Sequence, residues 1–475
     1  DPGLSARWRF TPNLTMSAAV NPDFSNVEAD AAQLDINTQF ALYYPEKRLF
    51  FMEDANLFDT PYGIIYTRTM VNPDWGIKLS GKEGANAIGF FSVHDSETLI
   101  TFPSSQRSET VSLDMSNYSN ALRYRRDIGK SSVLGFTVTD REGKDYYNRL
   151  AGLDGFFKLS RKDLFLFQLF GSSTRCPDDV AREYQQPYGD LKGRFFGLEY
   201  HHDTQNYGMF LIYHNVTPGF RANLGRFYEV DYNYINGGGR YTWLHNPGHW
   251  YTRINTQIAY QYEEDHDDHN LLNKALTLDV YYDGPWQSYL YLTLNIGKRG
   301  YMGGLFRENF LTFNMGAQPS GSFSMAINGA YGDKIDYSNL QAGSRLRINP
   351  TMQYKIGRHL FLNLNHVYEK LDVTGGRLYT ANLSDLSLVY QFNRRTLLRV
   401  ILQYAHFNYN SDLYSFYIDP KFNHLFSQVL FSYKINAQTV LFLGYSDDYY
   451  GFSFMPNLKQ NNRTLFLKIG YALVI

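Results

Sequence analysis

The chain has 475 residues, a formal net charge of −1, a single cysteine and 17% aromatic residues. The balanced charge gives no reason to expect nucleic-acid binding, which usually needs a basic patch, and a lone Cys176 excludes an intrachain disulfide. No run reaches the ~20 apolar residues of a transmembrane helix, a test that strand-built membrane proteins pass unseen because only alternate residues face lipid.

The opening "DPGLSARWRF" has no charged leader followed by an apolar stretch, as expected of a processed form. Next comes "NPDFSNVEADAAQLDINTQFALYYPEKRLFF", residues 21–51, where regular patterning stops. Asp23, Glu28, Asp30 and Asp35 are followed by Glu46, Lys47, Arg48, Glu53 and Asp54. Opposite charges this dense suit a paired structural network. The segment 21–58 is expected to fold inward as a plug or to lie along the periplasmic rim, with a ligand site as the competing reading. A short helical turn is expected near "FMEDANLF".

From residue 73 onward, period-2 alternation recurs. In "ALTLDVYY", Leu276, Leu278, Val280 and Tyr282 share one face, and Thr277, Asp279 and Tyr281 the other. "SYLYLTLNIG", "HLFLNLNH" and "LSDLSLVYQF" repeat the pattern. These are strands with one apolar and one mostly polar face. Short turns ("RDIGKS", "SRKD", "DGPW", "FNRR") alternate with longer polar loops, near 94–107, 174–191, 217–227, 263–269, 299–304 and 371–378 among others. Tight turns at one end and long loops at the other are the outer-membrane barrel pattern, with about 24 strands expected (22–26). Bacterial single-chain barrels normally have even strand numbers, so at least one N-terminal segment either is not a strand or is not in the wall, and residues 21–51 are the weakest strand. Tyr, Phe and Trp crowd the strand ends, as in interfacial girdles. The polar face carries Arg123, Arg125, Glu199, His201, Asp279, Asp385, Arg399 and Lys468, a mixed-sign lumen expected to pair internally.

Two further patterns were weighed for chemistry. "EEDHDDHN" offers Asp265, His266, Asp267 and His269 as ligands for a divalent cation in an extracellular loop, against a solvated acidic loop. His201 and His202 are adjacent in a strand and must face opposite ways. No nucleophile elbow, zinc-protease helix or P-loop occurs. The chain ends in "TLFLKIGYALVI", where Lys468, Gly470, Leu473 and Ile475 resemble the terminal signal by which barrels are recognised for membrane assembly, with Ile475 replacing the usual aromatic.

The stretches "NPDFSNVEAD", "INTQFALYYPEKRLFFMEDANLF" and "GIIYTRTMVNPDWGIKLSGKEG" resemble the barrel domain of an uncharacterised outer-membrane family. Longer members of that family carry an N-terminal sandwich domain similar to carbohydrate-binding module family 9. Leu49 stands where the family usually has Pro, and Asp54 where it has Gly. The resemblance implies the barrel fold and suggests glycan handling.

The expectation is a single all-β domain over 1–475, an antiparallel barrel of the bacterial outer membrane. Its expected function is a pore or translocation channel for saccharides or another extended polymer. The alternative is a plugged scaffold anchoring a surface or secretion assembly, and a barrel-embedded hydrolase ranks third. Expected partners are outer-membrane lipid and lipopolysaccharide, the barrel assembly machinery, and other envelope proteins or glycans. No resident cofactor is expected.

Overall fold

A computed structural model describes residues 3–21, 30, 32–246, 248–436 and 439–470. Twenty-four strands, from Leu4–Thr11 to Lys459–Gly470, join in one sheet, each antiparallel to the next. The alternation seen in sequence is realised with the apolar face outward. In Leu271–Gly284, Leu276 and Leu278 are exposed while Ala275 is buried. Lys78, Arg123, Thr137, Arg141 and Gln168 are buried inside. A water-soluble protein would show the reverse. An antiparallel wall with an apolar exterior and a polar interior is the architecture of outer-membrane barrels, and it places the chain in the bacterial outer membrane.

The aromatic girdle is clearest at the short-turn end. Trp243, Trp250 and Trp286 are exposed beside the turns that follow Leu244 and Gly284. Trp250 stacks on Tyr282 with ring centroids 6.0 Å apart. Rings of this kind suit the boundary between lipid and water.

Two of the expected long loops are tight hairpins instead. Tyr301 pairs with Gly304, and Val373 with Gly376. Met302 and Gly303 both have positive φ, the twist a two-residue hairpin turn requires. The short strand Gly304–Arg307 and the strand Phe310–Ser320 both pair with Ser288–Tyr301, end to end. They are two pieces of one crossing, so the wall makes one crossing fewer than it has strands. Leu4–Thr11 and Lys459–Gly470 therefore run in the same direction, and among the described residues no pairing joins them. Leu465 on the terminal strand is 72% exposed, more than lipid-facing leucines in mid-wall.

The described residues between Leu14–Val20 and Pro73–Glu83 lie outside the wall. Val20 pairs with Trp75 at the end carrying the long loops. The segment thus enters from the extracellular end. It contains the short helix Leu49–Met52 and two single turns, Ala55–Leu57 and Thr67–Thr69. A hairpin outside the wall, Thr98–Pro103 with Ser108–Leu113, and the loop 217–231 join it in the interior.

Candidate functional site

Three apolar clusters fix the inward segment to the wall, each built around residues of the segment itself. Phe51, Leu57, Phe58 and Met70 pack on Phe91, Val93 and Leu224. Ile64 packs on Phe170, Phe195 and Phe220. Leu34 packs on Val367, Leu371, Leu383 and Ala405. Burial of one large apolar side chain contributes about 1.5–3 kcal/mol, so these anchors outweigh any single polar contact.

Polar contacts then reach most of the way around the lumen. The Lys78 ammonium donates to the carbonyls of Phe50 and, at 2.6 Å, Glu53. Arg125 donates to the Asn56 carbonyl at 3.1 Å. On the far side, Asn37 Nδ2 donates to the Ile335 carbonyl at 2.8 Å, and Gln403 Nε2 to the Asp30 carbonyl at 3.1 Å. Wall residue Arg141, fully buried, donates to Leu99 O at 2.6 Å and Thr69 O at 3.2 Å, tying hairpin and segment to one side chain. The Tyr62 hydroxyl donates to Glu199 and meets His214 Nε2 at 2.5 Å. Burial and the Glu199 carboxylate push that phenol well above its usual range.

Of the charges singled out in 21–58, several meet one another. Arg48 pairs at two points with Glu46, Nε to Oε1 at 2.8 Å and Nη2 to Oε2 at 2.6 Å. Burial alone would raise Glu46, but hydrogen bonds from Arg48 and Thr67 hold it below the ordinary carboxylate range. Lys47 and Arg68 both pair with Asp30. Asp35 accepts from Thr38 Oγ1 at 3.0 Å. Glu53 reaches Arg7 at 3.2 Å on an exposed surface, and Asp54 accepts from Ser80 Oγ at 2.7 Å. Asp23 and Glu28 lie outside the described residues, as do Leu473 and Ile475 of the terminal signal. Lys468 and Gly470 lie in the last strand, opposite Phe442 and Val440.

The loop candidates disperse. His266 pairs with Asp267 at 2.6 Å and His269 with Glu264 at 2.8 Å. Asp265 accepts from the backbone of Asp268 and Asn270. Among the described residues no group of three or more His, Cys, Asp or Glu is set to hold a metal ion. His201 and His202 take separate carboxylates, Glu199 and Asp163. Burial pushes the Cys176 thiol up to about 11, so it is inert.

What sequence reasoning missed is a charged chamber of about 440 Å³ between residues 34–40 of the segment and an arc of wall. Arg299 pairs with Glu308 at 2.8 Å, and Arg347 with Glu369 at 3.4 Å. Glu308 reaches inward because the wall strand breaks there. Its backbone N–H donates to Gly297 O while its carbonyl accepts from Asn295 Nδ2, a local irregularity of the kind that re-aims a side chain. Glu229, on the inward loop, and Glu263 are in hydrogen-bond contact. Burial and the Glu263 charge push the Glu229 carboxyl above the ordinary carboxylate range. Lys334 and Arg345 complete the lining. These residues come from many strands, and no linear motif announces them.

Residues 1–147 match a family model described as a domain of unknown function, DUF5916. Among curated proteins no sequence match is found. Solved structures with a similar strand arrangement include the siderophore receptor PirA from Pseudomonas aeruginosa. That similarity has 9% identity and a TM-score of 0.47, covering 81% of each chain. The copper transporter OprC follows at 9% and 0.43, covering 85% of this chain and 78% of its own. A ferric enterobactin receptor (PfeA) mutant from Pseudomonas aeruginosa has 9% and 0.42, covering 79% of each chain. At this level the similarities assign neither substrate nor partner to the present chain.

Proposed function

We propose that the protein is an outer-membrane translocation channel for an extended polar solute, saccharides being the leading class, held closed at rest by residues 30–72. The observation that carries this reading is the placement of that segment. It enters from the extracellular end, spans the lumen and hydrogen-bonds to wall residues as far apart as Lys78, Glu199 and Gln403. A lumen lined by buried charged and amide groups is costly unless it is satisfied internally or meets a polar cargo.

The second reading, a permanently plugged scaffold, is favoured by the depth of the apolar anchors at Phe58, Ile64 and Leu34.

Single-channel recording in planar bilayers separates the first two. The channel reading expects little current in the intact protein, steady current after deletion of 22–71, which leaves a short turn between the paired Val20 and Trp75, and brief openings of the intact protein when the correct solute is added. Absence of current after the deletion, in a barrel shown to be folded, would end the channel reading. Large steady current in the intact protein would end the closed-at-rest reading.

A further inference from the structure

The chamber's cations are not all used by the chamber's acids. Arg299 and Arg347 have carboxylate partners in Glu308 and Glu369. Lys334 does not. Among the described residues its ammonium meets only the Tyr337 side chain, 3.2 Å from the hydroxyl and 4.6 Å from the ring centroid. Arg345 has neither a hydrogen bond nor an ion pair among the described residues, yet it is half-buried and faces the cavity. The register puts the two together. Lys334 pairs with Gly343 and Arg345 with Gly332, so they are diagonal neighbours on the inward face of adjacent strands.

Two adjacent cations taken partly out of water with no carboxylate in direct contact are unfavourable. Glu308 and Glu369 act on Lys334 only from a distance, and burial with the Arg345 and Arg299 charges opposes them. Glu229 and Glu263 are engaged with each other, and Glu308 and Glu369 with their own arginines. A planar guanidinium beside a flexible ammonium is a donor set matched to a carboxylate or phosphate.

We propose that the chamber is a binding site for an acidic group of the solute, a carboxylate or a phosphate, with Arg345 and Lys334 as its ligands. The inference rests on the channel reading only for the word solute, since binding to the closed barrel does not require passage. Asn37, Thr38 and Gln39 of the inward segment line the same cavity. Asn37 already holds the wall, and Gln39 accepts from Tyr337, the residue that touches Lys334. An anion drawn to Lys334 would thus compete for the contacts that hold the segment in place.

The test is isothermal titration of the purified, intact barrel in detergent with three probes: trigalacturonate, inorganic phosphate and neutral maltotriose. The proposal expects saturable binding of at least one of the two anions and none of maltotriose. The first two probes distinguish a uronate from a phosphate source. Arg345→Gln and Lys334→Gln should each weaken binding by at least about tenfold, the loss of one charge-assisted hydrogen bond, while the exposed Arg377→Gln leaves it unchanged. Melting temperatures of all variants establish that they are folded. Failure of both anions to bind, binding equal in the variants, or equal binding of maltotriose would each overturn the proposal. Current after deletion of 22–71, with no anion binding to the intact barrel, would leave the channel reading standing and remove this one.

Discussion

Arg48 and Glu46 are two residues apart, form a two-point ion pair and are locked to the same turn. Arg48 Nη1 donates to Met70 O at 2.6 Å and Nη2 to Thr67 O at 2.7 Å, while Thr67 Oγ1 donates to Glu46 at 2.6 Å. Arg48 is 7% exposed. The pair closes the inward segment on itself, joining its middle to its end, rather than fixing it to the wall. Removing one partner leaves a buried charge alone, which costs about 3–5 kcal/mol when the pair is fully buried. Arg48→Met should unfold the segment without unfolding the wall. The expected outcome is protease cleavage within 30–72 and intermittent current, with the strand signal in circular dichroism unchanged. Arg48→Lys should show a weaker form of the same effect, because an ammonium cannot reproduce the two-point geometry. Equal protease resistance in Arg48→Met and wild type would show that the pair is dispensable.

A second prediction concerns the seam between segment and loop. Tyr66 N–H donates to Leu224 O at 2.6 Å and Arg226 N–H to Gly63 O at 2.9 Å, a small ladder between two irregular chains. Gly225 lies in the middle. A Cβ there would stand 2.7 Å from Ile64 O and 2.8 Å from Gly63 O, both backbone atoms that cannot swing away. Gly225→Val should therefore push the loop off the segment, at a cost of about 1–3 kcal/mol typical of overpacking. Amide hydrogen exchange at Tyr66 and Arg226 should speed up together, with mid-wall amides unaffected. Unchanged protection at both would show that the ladder tolerates the side chain.

The wall was legible because lipid imposes alternation on every strand, and alternation survives in a single sequence. The inward segment was legible only as a break in that pattern. Its contacts were not, since Arg48 meets Glu46 locally but Asn37 meets Ile335 and Tyr62 meets Glu199 across the lumen. The two departures from the family pattern find structural places. Leu49 is the first residue of the short helix, a position that also accepts Pro. Asp54 has φ 55°, the left-handed region that favours Gly, and it is held there by Ser80. The chamber was invisible because its charges lie one or two to a strand, and ordinary lumen charges look the same in sequence. Only the register, which sets Lys334 diagonal to Arg345, distinguishes a site from a lining.

The last prediction follows from Glu229. Its carboxyl is raised by burial and by Glu263 above the ordinary carboxylate range, so the folded state holds this proton more tightly than the unfolded one. The sign follows directly. Where the folded state binds more protons, stability falls as pH rises. The loss begins above the ordinary carboxylate value, as the unfolded chain ionises, and is complete once pH passes the raised value. As pH rises above the ordinary carboxylate range the loop 217–231 should therefore loosen progressively. Val230, beside Glu229, donates its N–H to Ser104 O at 3.3 Å and reports on that loop. The measurement is the hydrogen-exchange rate of the Val230 amide in wild type divided by that in Glu229→Gln, which cancels the intrinsic pH dependence of exchange. The ratio should climb as pH rises above that range and then level off. In Glu263→Gln the climb should shrink, because the neighbouring charge that raises Glu229 is gone. A flat ratio would mean that the folded state does not hold the Glu229 proton more tightly than the unfolded one.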